Sequence, residues 1–173
     1  LPPKIKHSDT QILSPEEELA QMKISNENLE LNPFASEKDG IVNPVRMKWD
    51  SKGRLWVCCI PSYPQPDPGR KAKDYILICE DTDGDFKADK FTKFAEDIFM
   101  PMGLEFDEEG VYVCEGPNLV YYHDPDGDGK PNSKKILLSG FGTGDSHQNI
   151  NSISWGHDGY LWFTQGYHAF AQV

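Results

Sequence analysis

The sequence predicts an all-β fold preceded by one short helix. Three observations predict it. Apolar residues alternate with polar ones over short stretches, the period-2 signal of half-buried strands. Turns rich in Gly and Asp separate those stretches. The strand–turn–strand pattern also recurs: MKWDSKGRLWVC (47–58), LEFDEEGVYVC (104–114) and ISWGHDGYLWFT (153–164) share one layout. Trp56, Tyr112 and Trp162 hold the equivalent position, 56 and then 50 residues apart, and Cys58, Cys114 and Thr164 align two residues later.

Taken in order, residues 1–28 read as an N-terminal arm. LPPKIKHSDTQ is polar and Pro-rich. Ser14-Pro15-Glu16-Glu17-Glu18 then supplies an N-cap Ser, a Pro at N1 and acids in the first turn, with Glu17 placed for a capping box. A short helix is expected over roughly 15–23, with Leu19 and Met22 on one face, ended by Asn26 and Asn28. Residues 29–173 are β-rich. In each repeated hairpin the turn ends in Gly (Gly53, Gly110, Gly159), expected to supply positive φ.

A second half-unit lies between the hairpins. DYILICEDTDGDFKADKFTKFAE (74–96) matches NLVYYHDPDGDGKPNSKKILLSG (118–140): strand, Asp-rich loop, strand. One unit is therefore four strands in about 50 residues, the signature of β-propeller blades. The chain carries about two and a half such blades, and propellers typically close with four to eight. It is thus expected to be the front of a longer protein. Between the first hairpin and residue 74 runs the insert Pro61–Lys73, with four prolines and the basic cluster Arg70, Lys71 and Lys73. It reads as a stiff, solvated loop that could approach an anionic ligand.

Composition narrows the function classes. The 173 residues carry 17 Lys plus Arg against 28 Asp plus Glu, a formal net charge of −11. Nucleic acid is not the expected partner, because phosphate binding needs a basic face. The same charge argues against electrostatic docking on an anionic membrane. Direct membrane insertion is not expected of this segment either: the longest apolar run, Leu55–Ile60, is far short of a span. At 12% aromatic residues the chain is too rich for a disordered acidic tail. Cys58, Cys59, Cys79 and Cys114 end apolar runs without forming CxxC or CxxCH, so buried strand thiols are expected, with disulfides as the alternative. The chain starts at Leu1 without a signal-peptide pattern, so any targeting segment is expected to have been removed or left out.

The pair of Asp-rich loops carries the strongest chemistry. The first presents Asp81, Asp83, Asp85 and Asp89, and the second Asp124, Asp126, Asp128 and Asn132, at positions 1, 3, 5 and 9. Lys87 and Lys130, at position 7, can offer backbone carbonyls. A hard cation wants six to eight oxygens, and a tight loop of alternating acids wraps them around one point. Neither loop is a full EF-hand, since position 12 is Thr92 or Lys135 rather than Glu. They resemble the nine-residue calcium loops of integrin-type propeller repeats. Structural Ca²⁺, clipping a β-hairpin, is the reading; a solvated Asp-Gly turn is the alternative.

The second signal is the Gly-rich stretch 140–166, which holds His147 and His157 and is followed by His168. His147, just before a strand in a polar loop, is the candidate general base. His157 sits in the turn HDG and reads as solvated, and His168 is a weaker candidate than His147.

Three stretches now resemble a known family in order: NPVRMKWDSKGRLWV, EDTDGDFKADKFTKFAE and DPDGDGKPNSKKILLSGFGTGDSHQNINSISWGHDGYLWFTQG. Together with SPEEELAQM and LELNPFASE, they resemble the N-terminal propeller of the membrane-bound dehydrogenase-like family of planctomycete-type bacteria over residues 13–173. That family often carries a C-terminal CxxCH haem domain and is related to the glucose/sorbosone dehydrogenase propellers that use pyrroloquinoline quinone (PQQ). The resemblance implies a six-bladed propeller, a periplasmic or extracellular location, and a quinone-dependent sugar or polyol dehydrogenase passing electrons to haem c in a region beyond this chain. It places His147 near the base His of the sugar dehydrogenases, one position out of register with the Gly of WG, and sets Asn149 and Asn151 where those enzymes often have small residues and an Arg. The alternatives are a non-catalytic, calcium-stabilised propeller that binds a glycan or protein partner through its aromatic residues, and a scaffold with no ligand.

Overall fold

The structure is a computed structural model that describes residues 12–65, 69–167 and 169–173. Residues 1–11 of the arm, Pro66-Asp67-Pro68 of the insert and the candidate His168 lie outside the described residues. Among the described residues the fold is all-β apart from one helix and two 3-10 turns.

The helix, α1, spans Pro15–Gln21 and forms as its sequence dictates. Ser14 Oγ accepts from the Glu17 N–H at 3.3 Å, and Glu17 returns the bond to the Ser14 N–H at 2.7 Å, a complete capping box. It ends two residues short of the expected 23, because Met22 turns extended and closes the helix through its N–H on the Leu19 carbonyl.

Among the described residues, ten strands form three antiparallel sheets. The first sheet is β1 (Pro44–Trp49), β2 (Leu55–Cys59), β3 (Asp74–Glu80) and β4 (Lys90–Ile98), each paired with the next. The second is β5 (Pro101–Phe106), β6 (Gly110–Glu115), β7 (Asn118–His123) and β8 (Ser133–Ser139), again in sequence order. The third pairs β9 (Asn151–Trp155) with β10 (Leu161–Thr164). The repeat read from the sequence is thus a repeat of four-stranded meanders.

The sheets pack face to face, and strand alternation decides which residue enters which layer. On β2, Trp56 and Cys58 face the second sheet, where they join Ile76, Ile78, Phe94, Leu104, Val111, Val113, Val120 and Tyr122 in one core. Leu55, Val57 and Cys59, the intervening residues, pack on the opposite face with Tyr75, Leu77 and Cys79 beneath Phe34, Ala35 and Ile41 of the N-terminal segment. β2 is therefore buried along its whole length, which is why LWVCC is a continuous apolar run rather than an alternation. A third core, built from Cys114, Leu119, Phe141, Ile150 and Ile153, joins the second sheet to the third. Each large apolar side chain buried in these layers contributes about 1.5–3 kcal/mol. All four cysteines are free, buried thiols. Burial pushes the Cys79 and Cys114 thiols up to about 12.

One turn residue departs from expectation. Gly53 and Gly159 have φ of +77°, as the hairpins require. Gly110 does not have positive φ; it is glycine because a Cβ there would collide with the Tyr122 carbonyl oxygen on β7. The three hairpins also share a device that sequence alignment passes over. A turn Asp accepts from an aromatic side chain at each: Asp50 from the hairpin's own Trp56 Nε1 at 2.9 Å, Asp158 from its own Trp162 Nε1 at 3.2 Å, and Asp107 from the hydroxyl of Tyr121 on the neighbouring β7 at 2.8 Å.

Candidate functional site

Both Asp loops join the third and fourth strands of a sheet, so each hangs from a rigid hairpin. In the first, Asp81, Asp83 and Asp89 bring one oxygen each within 4.8 Å of one another, while Asp85 stands outside that group. Asp81 accepts from the Gly84 N–H at 2.7 Å and, through its other oxygen, from the Phe86 N–H at 3.0 Å. Burial works to raise its carboxyl, but these amide donors outweigh it and hold the group below the usual carboxylate range. Asp89 accepts from the Thr82 hydroxyl at 2.9 Å, and Asp85 accepts from the Lys87 N–H at 2.8 Å.

In the second loop the carboxylates at the first, third and fifth positions, Asp124, Asp126 and Asp128, bring one oxygen each within 4.8 Å of one another. Here the first acid is buried, 6% exposed. Its Oδ2 accepts from the Gly129 N–H at 3.2 Å, but its Oδ1 has no hydrogen-bond partner among the described residues. Desolvation, with the adjacent Asp126 and Asp128 charges, pushes the Asp124 carboxyl above the ordinary range. Asp128 accepts from the Lys130 N–H at 2.8 Å, and the Asn132 N–H returns to the His123 carbonyl at 2.8 Å, closing the loop. A buried carboxylate oxygen left unpaired among two more carboxylates is a donor set that fits a hard cation.

His147 lies in a 3-10 turn, Ser146–Gln148, rather than in plain loop. Asp145 caps that turn, accepting from the His147 N–H at 2.9 Å, and the same oxygen accepts from His147 Nδ1 at 3.0 Å. With the proton on Nδ1, Nε2 is left as the acceptor, and the Tyr63 hydroxyl stands 2.5 Å from it. Tyr63 comes from the Pro-rich insert, 84 residues away. It lines a cleft of about 380 Å³ with Ser62, Gln65, Arg70, Lys71 and Lys73. The basic cluster of the insert and the candidate histidine therefore border one region. His157 is exposed in its turn. Asn149 is wholly buried, its amide donating to Met100 Sδ at 3.4 Å and its Oδ1 unpaired, and Asn151 accepts from the Thr164 hydroxyl at 2.9 Å.

Residues 14–173 match the profile of a family described as a domain of unknown function, DUF7133. The chain belongs to the DUF7133 family. No curated protein matches it. In this DUF7133 chain, the sequence reading missed Asp145 and Arg54, and it took Tyr63 only as part of the insert and of the aromatic residues open to a glycan, not as the partner of His147. Asp145 carried a local signal, an N-cap acid two residues before the His. Tyr63 carried none, because its partner is distant in sequence. Arg54, on the second loop's Gly127 carbonyl, was equally invisible. No helix among the described residues is long and apolar enough to cross a membrane.

Proposed function

We propose that this chain is the N-terminal part of an exported β-propeller, six-bladed in its full form, with Ca²⁺ on its paired Asp loops, that oxidises a sugar or polyol with PQQ. The observation that carries the reading is the Asp145–His147–Tyr63 chain at the strand entrances. Asp145 holds the Nδ1 proton and orients the ring, which leaves Nε2 as the acceptor that a base requires. The Tyr63 hydroxyl on Nε2 stands where a substrate hydroxyl would donate.

PQQ is a tricarboxylate, and Arg70, Lys71 and Lys73 around the Tyr63 cleft are the donors suited to its carboxylates. When bound, it supplies a two-electron acceptor for the hydride of an alcohol C–H. His147 Nε2 takes the hydroxyl proton, and Asp145 stabilises the imidazolium that results. The test is a dye-linked assay on the full-length protein with PQQ and Ca²⁺ across a sugar and polyol panel. His147→Ala is expected to abolish turnover, and Tyr63→Phe to preserve it.

A second reading is favoured by the same hydrogen bond, because Tyr63 already occupies the base. In it the propeller is non-catalytic and binds a glycan through exposed indoles such as Trp49 and Trp162. Glycan-array binding with no oxidation of any substrate would replace the first reading by this one.

A further inference from the structure

The two Asp loops are near copies in sequence, yet the fold gives them different surroundings. The first projects its sixth residue, Phe86, into solvent, 76% exposed. The second lies on the first sheet. Lys52 Nζ, from the β1–β2 turn, donates to the Gly127 carbonyl at 2.8 Å, and Arg54 Nη1 reaches the same oxygen at 3.2 Å. Its sixth residue is Gly129, where a Cβ would stand 2.9 Å from Ile78 Cδ1 on β3. A Cβ on Gly127 would collide with the Lys52 ammonium.

The loop is thus fitted to the first sheet, and its charge is left uncompensated. Lys52 stops at that carbonyl, and Arg54 divides its guanidinium between it and Asp50, whose Oδ2 accepts from Nε at 2.7 Å. Among the described residues, no ion pair reaches Asp124, Asp126 or Asp128. Asp124, 6% exposed, keeps one carboxylate oxygen with no hydrogen-bond partner among the described residues. Two oxygens on opposite sides of a Ca²⁺ stand about 4.6–5.2 Å apart, and the three carboxylates already lie within 4.8 Å of one another. Carboxylates alone repel, and a loop splayed by that repulsion would carry Gly127 away from Lys52 and Arg54.

We propose that the 124–132 loop holds one Ca²⁺ that clips the first sheet to the second, ion binding and the Lys52/Arg54–Gly127 contact each strengthening the other. The proposal rests on the reading of the Asp loops as cation sites. It adds where the ion acts and what its binding is coupled to. Coupling of this kind is reciprocal, so it can be read from either side.

The sign of one substitution separates coupling from plain electrostatics. Lys52 is a positive charge beside the ion. If it only repels, Lys52→Met tightens Ca²⁺ binding. If it anchors the loop, Lys52→Met weakens binding, by about 5-fold or more for a coupling of ordinary size. Calorimetric titration of CaCl₂ into the full chain is the assay, with Asp126→Asn removing an exposed ligand of the second loop and Asp83→Asn its counterpart in the first. The expected result is that Asp126→Asn loses one bound ion. Lys52→Met keeps the ion count but weakens one site, and Asp83→Asn leaves that site unchanged. Binding unchanged or tightened in Lys52→Met overturns the clip and leaves the cation reading standing. No Ca²⁺ bound by the parent chain overturns both. Equal affinity for MgCl₂ overturns the assignment to Ca²⁺.

Discussion

Replacing Asp74 by Ala should unfasten the insert that carries Tyr63. Asp74 opens β3, is wholly buried, and spends its carboxylate on two amides. Oδ1 accepts from the Ser62 N–H and Oδ2 from the Met100 N–H, both at 2.9 Å. The first bond ties down the insert, and the second ties down the connection between the first and second sheets. A hydrogen bond to a charged group contributes about 1.5–3 kcal/mol, and a buried donor left alone costs about 1–3 kcal/mol. The two amides differ in what water can repair. Ser62 is half-buried and can be rehydrated, whereas Met100 is 1% exposed and cannot. The expected loss is therefore about 3 kcal/mol, most of it from Met100. At about 2–4 °C per kcal/mol for a domain of this size, Tm should fall by roughly 10 °C. Urea denaturation of the parent chain, Asp74→Ala and Asp74→Asn measures it. Asp74→Asn retains one acceptor oxygen and should lose about half as much. A loss below about 1 kcal/mol for Asp74→Ala would refute the reasoning, since it would mean that the Met100 amide finds another partner.

Two further outcomes follow from the hairpins. Gly110→Ala should cost about 3 kcal/mol or more, because its Cβ would meet the backbone oxygen of Tyr122, whereas Gly53→Ala, with open space around a φ of +77°, should cost about 1 kcal/mol; thermal melts of the two variants compare them directly. Acid stability should depend on Asp50: burial works to raise its carboxyl, but bonds from the Arg54 N–H, the Trp56 indole and the Arg54 guanidinium hold it below its ordinary 3.8. The unfolded chain then binds the proton more readily than the folded one, so this contribution is fully present above pH 3.8 and is lost as pH falls below it through the depressed native value. Urea midpoints between pH 5 and pH 2.5 should fall less steeply for Asp50→Asn than for the parent chain.

Local chemistry made much of this molecule legible in the sequence. The capping box of α1 needs only Ser14 and Glu17, three residues apart. The strand β1, the buried run of β2 and the Asp loops between third and fourth strands are likewise short-range patterns and form where expected, but β1 inverts its expected faces: Val45, Met47 and Trp49 are exposed while Arg46 and Lys48 are half-buried. The repeat was legible because two four-stranded meanders carry the same side chains at the same steps. Gly110 marks the boundary of such reasoning. As a turn residue it was assigned positive φ, but its place is decided by the approach of β7, which the turn sequence does not contain.

The candidate site divides along the same line. The sequence by itself determined that each Asp-rich turn would gather carboxylates, though which ones converge differs: Asp81, Asp83 and Asp89 in the first, without Asp85, and Asp124, Asp126 and Asp128 in the second. It also determined that His147 would stand at a strand entrance. Tertiary structure alone decided that Asp124 is buried with an unpaired oxygen while Asp81 has both oxygens on amides, since that difference arises from the first sheet lying against the second loop. It alone brought Tyr63 across 84 residues to His147 Nε2, and set Lys52 and Arg54 on Gly127. Desolvation and long-range hydrogen bonds depend on which surfaces meet, and that is settled only when the sheets pack.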